Sequence, residues 1–238
     1  MSPHHNIFIR REVSAPVEAP KEPRLALGTA STRDLEPWLY GTAEQIRLTA
    51  EAVQEALEDA GMRPEDVTGV EIKLPAMTGP RLQAAADAGH PVSGNPGGIS
   101  TRAKGAGALG VAVGLGEVDL AEVTDEAILS RHDLYTTRGS VSAGAEQTAV
   151  RVLVIGNAEN SVSPLRAGAG VMKDQLDLDG VYEALTNAGI DDAGPGALPT
   201  DQAERVRQVF VNCGADSVGA VRGRRHTILS DFLAGHSG

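Results

Sequence analysis

Aromatic side chains are scarce: one tryptophan, three tyrosines and three phenylalanines make up 3% of the 238 residues. A core built on large rings is thereby excluded, and 28 glycines point instead to close packing of backbone and small side chains. Cys213 is the only cysteine, so no disulfide can form within the chain and a cysteine-based zinc site in one chain is ruled out. Basic residues number 21 against 32 acidic ones, a net charge of -11. Nucleic acid, which needs a basic face, is therefore not an expected partner. Long apolar runs are missing too: no stretch approaches the roughly 20 residues that a membrane-spanning helix requires. The opening MSPHHNIFIRREV carries Arg10, Arg11 and Glu12 where a signal peptide would have an apolar centre. A cytoplasmic protein with no membrane partner is expected.

A hydrophobic content of 41% is enough to bury a core, in one large domain or two small ones. After the short apolar run NIFI, Pro16, Pro20 and Pro23 mark an extended linker. Ile46, Ala50, Val53, Leu57 and Ala60 recur at helical spacing, so Thr42 to Ala60 is predicted as a helix that Gly61 stops. Val70 to Leu74 alternates as a strand does, and Val150 to Ile155 is a strand, apolar except for Arg151. Pro91 to Arg102 reads as a turn-rich loop and Lys104 to Leu115 as a glycine and alanine helix. Leu178 to Ala188 reads as a helix and Val209 to Cys213 as a strand. Alternating strands and helices indicate an α/β unit used more than once.

Repetition supports this. EALEDAG at Glu55 to Gly61 returns as EALTNAG at Glu183 to Gly189, 183 − 55 = 128 residues later, and ALGTA around Gly28 is echoed at the same offset by VIGNA around Gly156. A period of that length suits pseudo-symmetric domains, since solenoid units run to roughly 20 to 50 residues. The strand after the first copy carries Lys73, whereas the strand after the second carries Asn212.

Three features bear on chemistry. Gly105, Gly107 and Gly110 spell GxGxxG, the spacing of a pyrophosphate-binding turn. No strand leads into them, and small residues that let a helix pack tightly account for them better. Ser142 lies in GSVSAGAE, read as a small-residue turn that exposes a serine oxygen beside free amides. Lys73, between Ile72 and Leu74, either reaches water from an edge strand or faces a cavity. A buried lysine without a partner tends to shed its proton, and as a free amine it would take one from Ser142. His226 and Asp231 offer an alternative base pair, but nothing in the sequence brings them to Ser142. His4, His5, His132 and His226 have no ligand spacing, so no metal and no cofactor are assigned.

VEIKLPAMT, RAKGAGALGVAVGLGEV, SVSAGAEQ, VLVIGNAENS, VMKDQLDLDGVYEAL and VRGRRHTIL, in this order, resemble the ring-opening amidohydrolases, the family of cyanuric acid hydrolase and barbiturase. The resemblance implies an α/β fold of three pseudo-symmetric units around a central site, each unit giving a lysine, an arginine and a serine with its following small residue. It implies a small cyclic amide as substrate and a homo-oligomer, a homotetramer. The catalytic pair of the middle unit matches Lys73, as base, and Ser142, as nucleophile, with the amides near Ser142 and Ala143 holding the oxyanion. The family's substrate-binding arginine falls on Lys104, with Arg102 the nearby guanidinium. The third unit's lysine falls on Asn212 and a metal-associated acidic residue on Gly214.

On this reading residues 1–20 are the remnant of a first unit and linker, 21–160 a second unit holding the Lys-Ser dyad, and 161–238 an incomplete third unit. A hydrolase opening cyanuric acid, barbituric acid or a similar ring is expected. The alternative is an inactive, shortened paralogue that folds or associates without turnover, and a third class is a nucleotide-binding module using Gly105 to Gly110.

Overall fold

Thr42 caps the first helix by accepting a hydrogen bond from the amide of Gln45, and Gly61, at φ 62°, ends it in the left-handed conformation that glycine adopts without strain. Between these signals Ile46, Ala50, Val53 and Leu57 turn one buried face inward, as their spacing predicts. The computed structural model describes residues 7–11, 13, 20–191, 193–211 and 220–225. The chain divides into two compact units, Met1–Leu165 and Arg166–Gly238.

The first unit runs β1 (Arg24–Ser31), α1 (Ala43–Ala60), β2 (Val67–Pro75), α2 (Gly79–Asp87), α3 (Pro96–Gly114), β3 (Gly139–Gly144) and β4 (Arg151–Ala158). The four strands form one sheet in the order β1-β4-β2-β3. β4 pairs antiparallel with both of its neighbours and β2 parallel with β3. A parallel pair needs a long crossover, and α2 and α3 lie in it.

Period-two alternation sorts the strand residues. Val70, Ile72 and Leu74 of β2 join Val152 and Val154 of β4 in the core, where α1 and α3 cover the sheet. Among the described residues, the helices packed on this sheet are α1 and α3, both on that one face.

The segment from Pro96 to Arg102, expected as loop, belongs to α3. Asn95 accepts from the amide of Gly98 and Pro96 sits in the first turn, so NPGG is a helix start rather than a turn cluster. Gly105, Gly107 and Gly110 lie inside this helix. A Cβ at Gly107 would sit 2.7 Å from Leu74 Cδ2, and one at Gly110 2.5 Å from Thr49 Cβ. Gly107 and Gly110 let α3 approach β2 and α1, and Gly105 lets it approach Leu129 and Ile128, the packing role expected of them.

The second unit holds α4 (Leu178–Asn187), α5 (Thr200–Ala203) and a short hairpin of β5 (Ala220–Val221) and β6 (Arg224–Arg225). Both copies of the EAL…AG phrase end a helix, with Gly61 at φ 62° and Gly189 at φ 83°. The second echo is different. Gly28 on β1 and Gly156 on β4 lie on adjacent, paired strands and are not each other's counterparts. The site that repeats Gly28 is Gly168: Cβ atoms there would strike Ala56 O and Ala60 in one case, Ala184 O and Ala188 in the other. The helix contacts keep the 128-residue offset (184 − 56 and 188 − 60), while the glycine itself moves by 168 − 28 = 140.

The strand expected at Val209 to Cys213 is not formed over its described part: Val209, Phe210 and Val211 are exposed and in no regular element. Among the described residues of this unit only β5 and β6 form a sheet ladder. Asn212, Cys213 and Gly214, like His4, His5, His226 and Asp231, lie outside the described residues.

Candidate functional site

The residues facing away from the helices form a polar row across all four strands. Ser31 pairs with Arg151, Arg151 with Lys73, and Lys73 with Ser142. Paired residues point to the same face, so four hydrogen-bonding or charged side chains stand side by side where β-sheet faces are usually half apolar. The next row on this face is Thr29, Leu153, Glu71 and Ser140. All of these except Ser140 line an open depression of ≈ 590 Å³.

Ser142 is thus a strand residue rather than part of a turn; the turn follows it, after Gly144. The sequence GSVSAG is poor in β-branched residues, and it is held as a strand by its pairing with β2 from Val70↔Gly139 to Pro75↔Gly144. Val70 donates to Arg138 O at 2.8 Å and Ala76 to Gly144 O at 2.9 Å, which fixes the phase of the parallel ladder. In that phase the amides of Ser140, Ser142 and Gly144 point toward β2, while those of Val141 and Ala143 point to the outer edge of the sheet. Among the described residues β3 pairs only with β2, so the amide next to Ser142 is directed away from the ladder.

Lys73 is 41% exposed through its side chain, and its Nζ lies 3.7 Å from Glu146 Oε1. It therefore faces the depression from a central strand, and it is neither buried nor without a partner, unlike the lysine whose burial would shed its proton. Glu146 folds back over Gly144. Its carboxyl is held below the usual carboxylate range by its own backbone amide first, then by Gln147 and the Lys73 ammonium, against some loss of hydration. The turn carrying Glu146 is tied to the end of β2 by Arg81, whose guanidinium donates to Ala76 O and Gln147 O. Glu146 and Arg81 were not singled out by sequence reasoning. The alternation that placed Lys73 on the open face would also have placed Glu71 and Arg151 there.

Arg102 and Lys104 are not among the residues lining the depression. Arg102 Nε donates to Gly41 O at 2.8 Å and its Nη2 to Asp125 O, so its guanidinium ties the start of α3 to two loops. Lys104 is half-buried on α3. His132 lies in a helical turn against the ring of Tyr135. Among the described residues no three His, Cys, Asp or Glu side chains are grouped as metal ligands, and no helix is long and apolar enough to cross a membrane.

Similarity to known proteins runs along the whole chain. The family model of the amidohydrolase ring-opening proteins matches residues 1–238. A cyclic amide hydrolase of Azorhizobium caulinodans is 42% identical over 234 residues, 97% of this chain and 63% of that protein. A cyanuric acid amidohydrolase of Bradyrhizobium diazoefficiens is 39% identical over 234 residues, 97% of this chain and 62% of its own length. The solved structure of a cyanuric acid hydrolase, described as evolutionary innovation by structural concatenation, superposes with a TM-score of 0.79 at 34% identity, over 92% of this chain and 58% of that one. The chain thus spans a little under two thirds of the curated relatives it matches. The expected α/β fold of the repeated-unit class agrees with these neighbours. By sequence and by fold, the chain belongs to the ring-opening amidohydrolase family.

Proposed function

We propose that this protein hydrolyses a C–N bond of a small cyclic amide such as cyanuric acid or barbituric acid, with Ser142 as nucleophile and Lys73 as general base. The observation that carries this reading is the register Lys73↔Ser142 on the open face of the sheet. Directly opposed residues have Cβ atoms about 5 Å apart, so a lysine amine reaches a serine hydroxyl with small rotamer changes. Membership of the ring-opening family and relatives named as cyclic amide and cyanuric acid hydrolases support the substrate class.

The steps follow from these groups. With Lys73 in its free-amine form, the Ser142 proton passes to Nζ as Oγ bonds to a ring carbonyl carbon, whose oxygen becomes an oxyanion. The amide of Ala143, directed away from the ladder, donates to that oxygen. The ammonium formed on Lys73 stands beside Glu146, which stabilises the charge while the intermediate lasts. Collapse breaks the ring C–N bond, and the leaving nitrogen takes the proton back from Lys73. Water, deprotonated by the regenerated amine, then attacks the Ser142 ester; the ester C–O bond breaks, Lys73 returns the proton to Ser142 Oγ, and the opened chain leaves as a carboxylic acid.

Purified protein is assayed for loss of cyanuric acid and of barbituric acid, with Ser142→Ala as the control. Turnover that the variant lacks is the expected result, and equal rates for both proteins would remove Ser142 from the chemistry. No turnover by a folded wild-type chain would favour a family member that folds or associates without catalysis. Light scattering tests the tetramer that the family resemblance implies.

A further inference from the structure

Arg151 and Ser31 are the residues of the polar row that the proposed chemistry does not use, and Arg151 is the charged one of the two. It stands between Ser31 and Lys73, its side chain on the same face as Ser142. The open-face positions that follow it on β4 are Leu153, Ile155 and Asn157, so Arg151 is the one charged residue on that face of the strand. Arg151 is exposed and forms no ion pair among the described residues. The acids nearest to it on this face are otherwise placed. Glu71 sits one row away, opposite Leu153, and Glu146 lies against Lys73. Arg151 is also the only guanidinium among the residues lining the depression, because Arg102 is bound to the carbonyls of Gly41 and Asp125.

We infer that Arg151 is a substrate-binding residue: its guanidinium receives the coplanar oxygen and nitrogen acceptors along one edge of a planar cyclic imide while a carbonyl on the opposite side of the ring lies at Ser142. Three features carry this. Strands stand about 4.8 Å apart, so two strand spacings, roughly 10 Å, separate Arg151 from Ser142 with Lys73 between them. An arginine side chain leaning across the row shortens that gap to the width of one small ring. A cyclic imide has an acidic N–H flanked by two carbonyls, and its anion spreads charge over one flat edge, which the planar fork of arginine matches and an ammonium does not. The assignment rests on the hydrolase reading for the choice of ligand, and it gives the site a cation that recognises the ring in addition to the one that moves the proton.

The test uses Arg151→Met and Arg151→Lys, with far-UV circular dichroism to confirm that both retain the fold. Barbituric acid is titrated into each protein by calorimetry, which needs no turnover, and KM and kcat are measured separately. In Arg151→Met, Kd and KM rise about 10- to 100-fold, the loss of a paired charged hydrogen bond, while kcat changes by less than about threefold. Arg151→Lys restores only part of the loss, because the charge returns without the fork. Wild-type turnover with an unchanged KM in Arg151→Met would overturn the inference and leave the hydrolase intact. Arg151-dependent binding without wild-type turnover would do the reverse. A wild-type protein that does not bind barbituric acid overturns the inference outright.

Discussion

Lys73 and Ser142 face each other across two parallel strands, and β2 and β3 are paired from Val70↔Gly139 to Pro75↔Gly144. Their approach is therefore set by six consecutive register positions rather than by a mobile loop. A rigid ladder keeps an amine and a hydroxyl in one geometry at little entropic cost during reaction, which is the advantage of building a dyad on strands.

Lys73→Met tests that arrangement. Methionine keeps most of the unbranched apolar stem and removes the amine, so the strand pairing survives. We expect kcat for cyclic amide hydrolysis to fall by about 10²- to 10⁴-fold, the usual contribution of a positioned general base. The urea midpoint should move little, because the ion pair lost among the described residues is the half-exposed contact with Glu146. A kcat within twofold of wild type would show that another group takes the Ser142 proton.

Much of this geometry was legible in the chain. The apolar spacing from Ile46 to Leu57 with Thr42 and Gly61 at its ends specifies α1, and the alternation Val70-Ile72-Leu74 specifies β2. Ser142 was less legible, because GSVSAG has the small residues of a turn and becomes a strand only through pairing with β2. NPGGIS misled in the opposite direction: its proline and glycines resemble a loop, yet they occupy the first turns of α3, where proline needs no hydrogen-bonding amide. Register is a long-range property, so no local pattern could announce that Arg151 adjoins Lys73.

Gly28→Ala probes the close approach that the repeat preserves. A Cβ at this position would lie 1.9 Å from Ala56 O and 2.8 Å from Ala60 Cβ. The first of these is backbone inside α1 and cannot turn aside, so β1 and α1 must separate. Overpacking of this kind costs roughly 3 kcal/mol. Urea unfolding should show a clearly lowered midpoint with an unchanged slope; a loss under about 0.5 kcal/mol would mean that the strand and helix are not held as closely as described.

Arg102→Met separates anchoring from recognition. Its Nε bond to Gly41 O and its Nη2 bond to Asp125 O join α3 to two loops of the first unit. Charged hydrogen bonds to backbone carbonyls contribute roughly 1.5 to 3 kcal/mol where they are desolvated, and less at the exposed end. A destabilisation of about 1 to 2 kcal/mol is expected by urea titration. Unchanged stability accompanied by a raised KM would reassign Arg102 to the substrate.

Asp59 sets a pH dependence of stability that can be worked out in sign. Its carboxylate accepts from both terminal nitrogens of Arg10, at 2.7 and 2.9 Å, and from the amide of Thr29 at 2.9 Å, joining the end of α1 to β1. The Arg10 hydrogen bond first, and then the Thr29 amide, hold this carboxyl below its ordinary range, against some loss of hydration. A carboxyl lowered in the folded state favours folding while it is ionised. Its contribution is therefore complete above the unfolded value of about 3.9 and disappears as pH falls through the lower folded value. Asparagine at this position keeps the shape but has no proton to gain. The Tm of wild type should exceed that of Asp59→Asn by a constant margin between pH 5 and pH 7, and the two curves should converge as the pH falls toward 2. A margin that persists undiminished into strong acid would assign the stabilisation to shape or packing at Asp59 rather than to its charge.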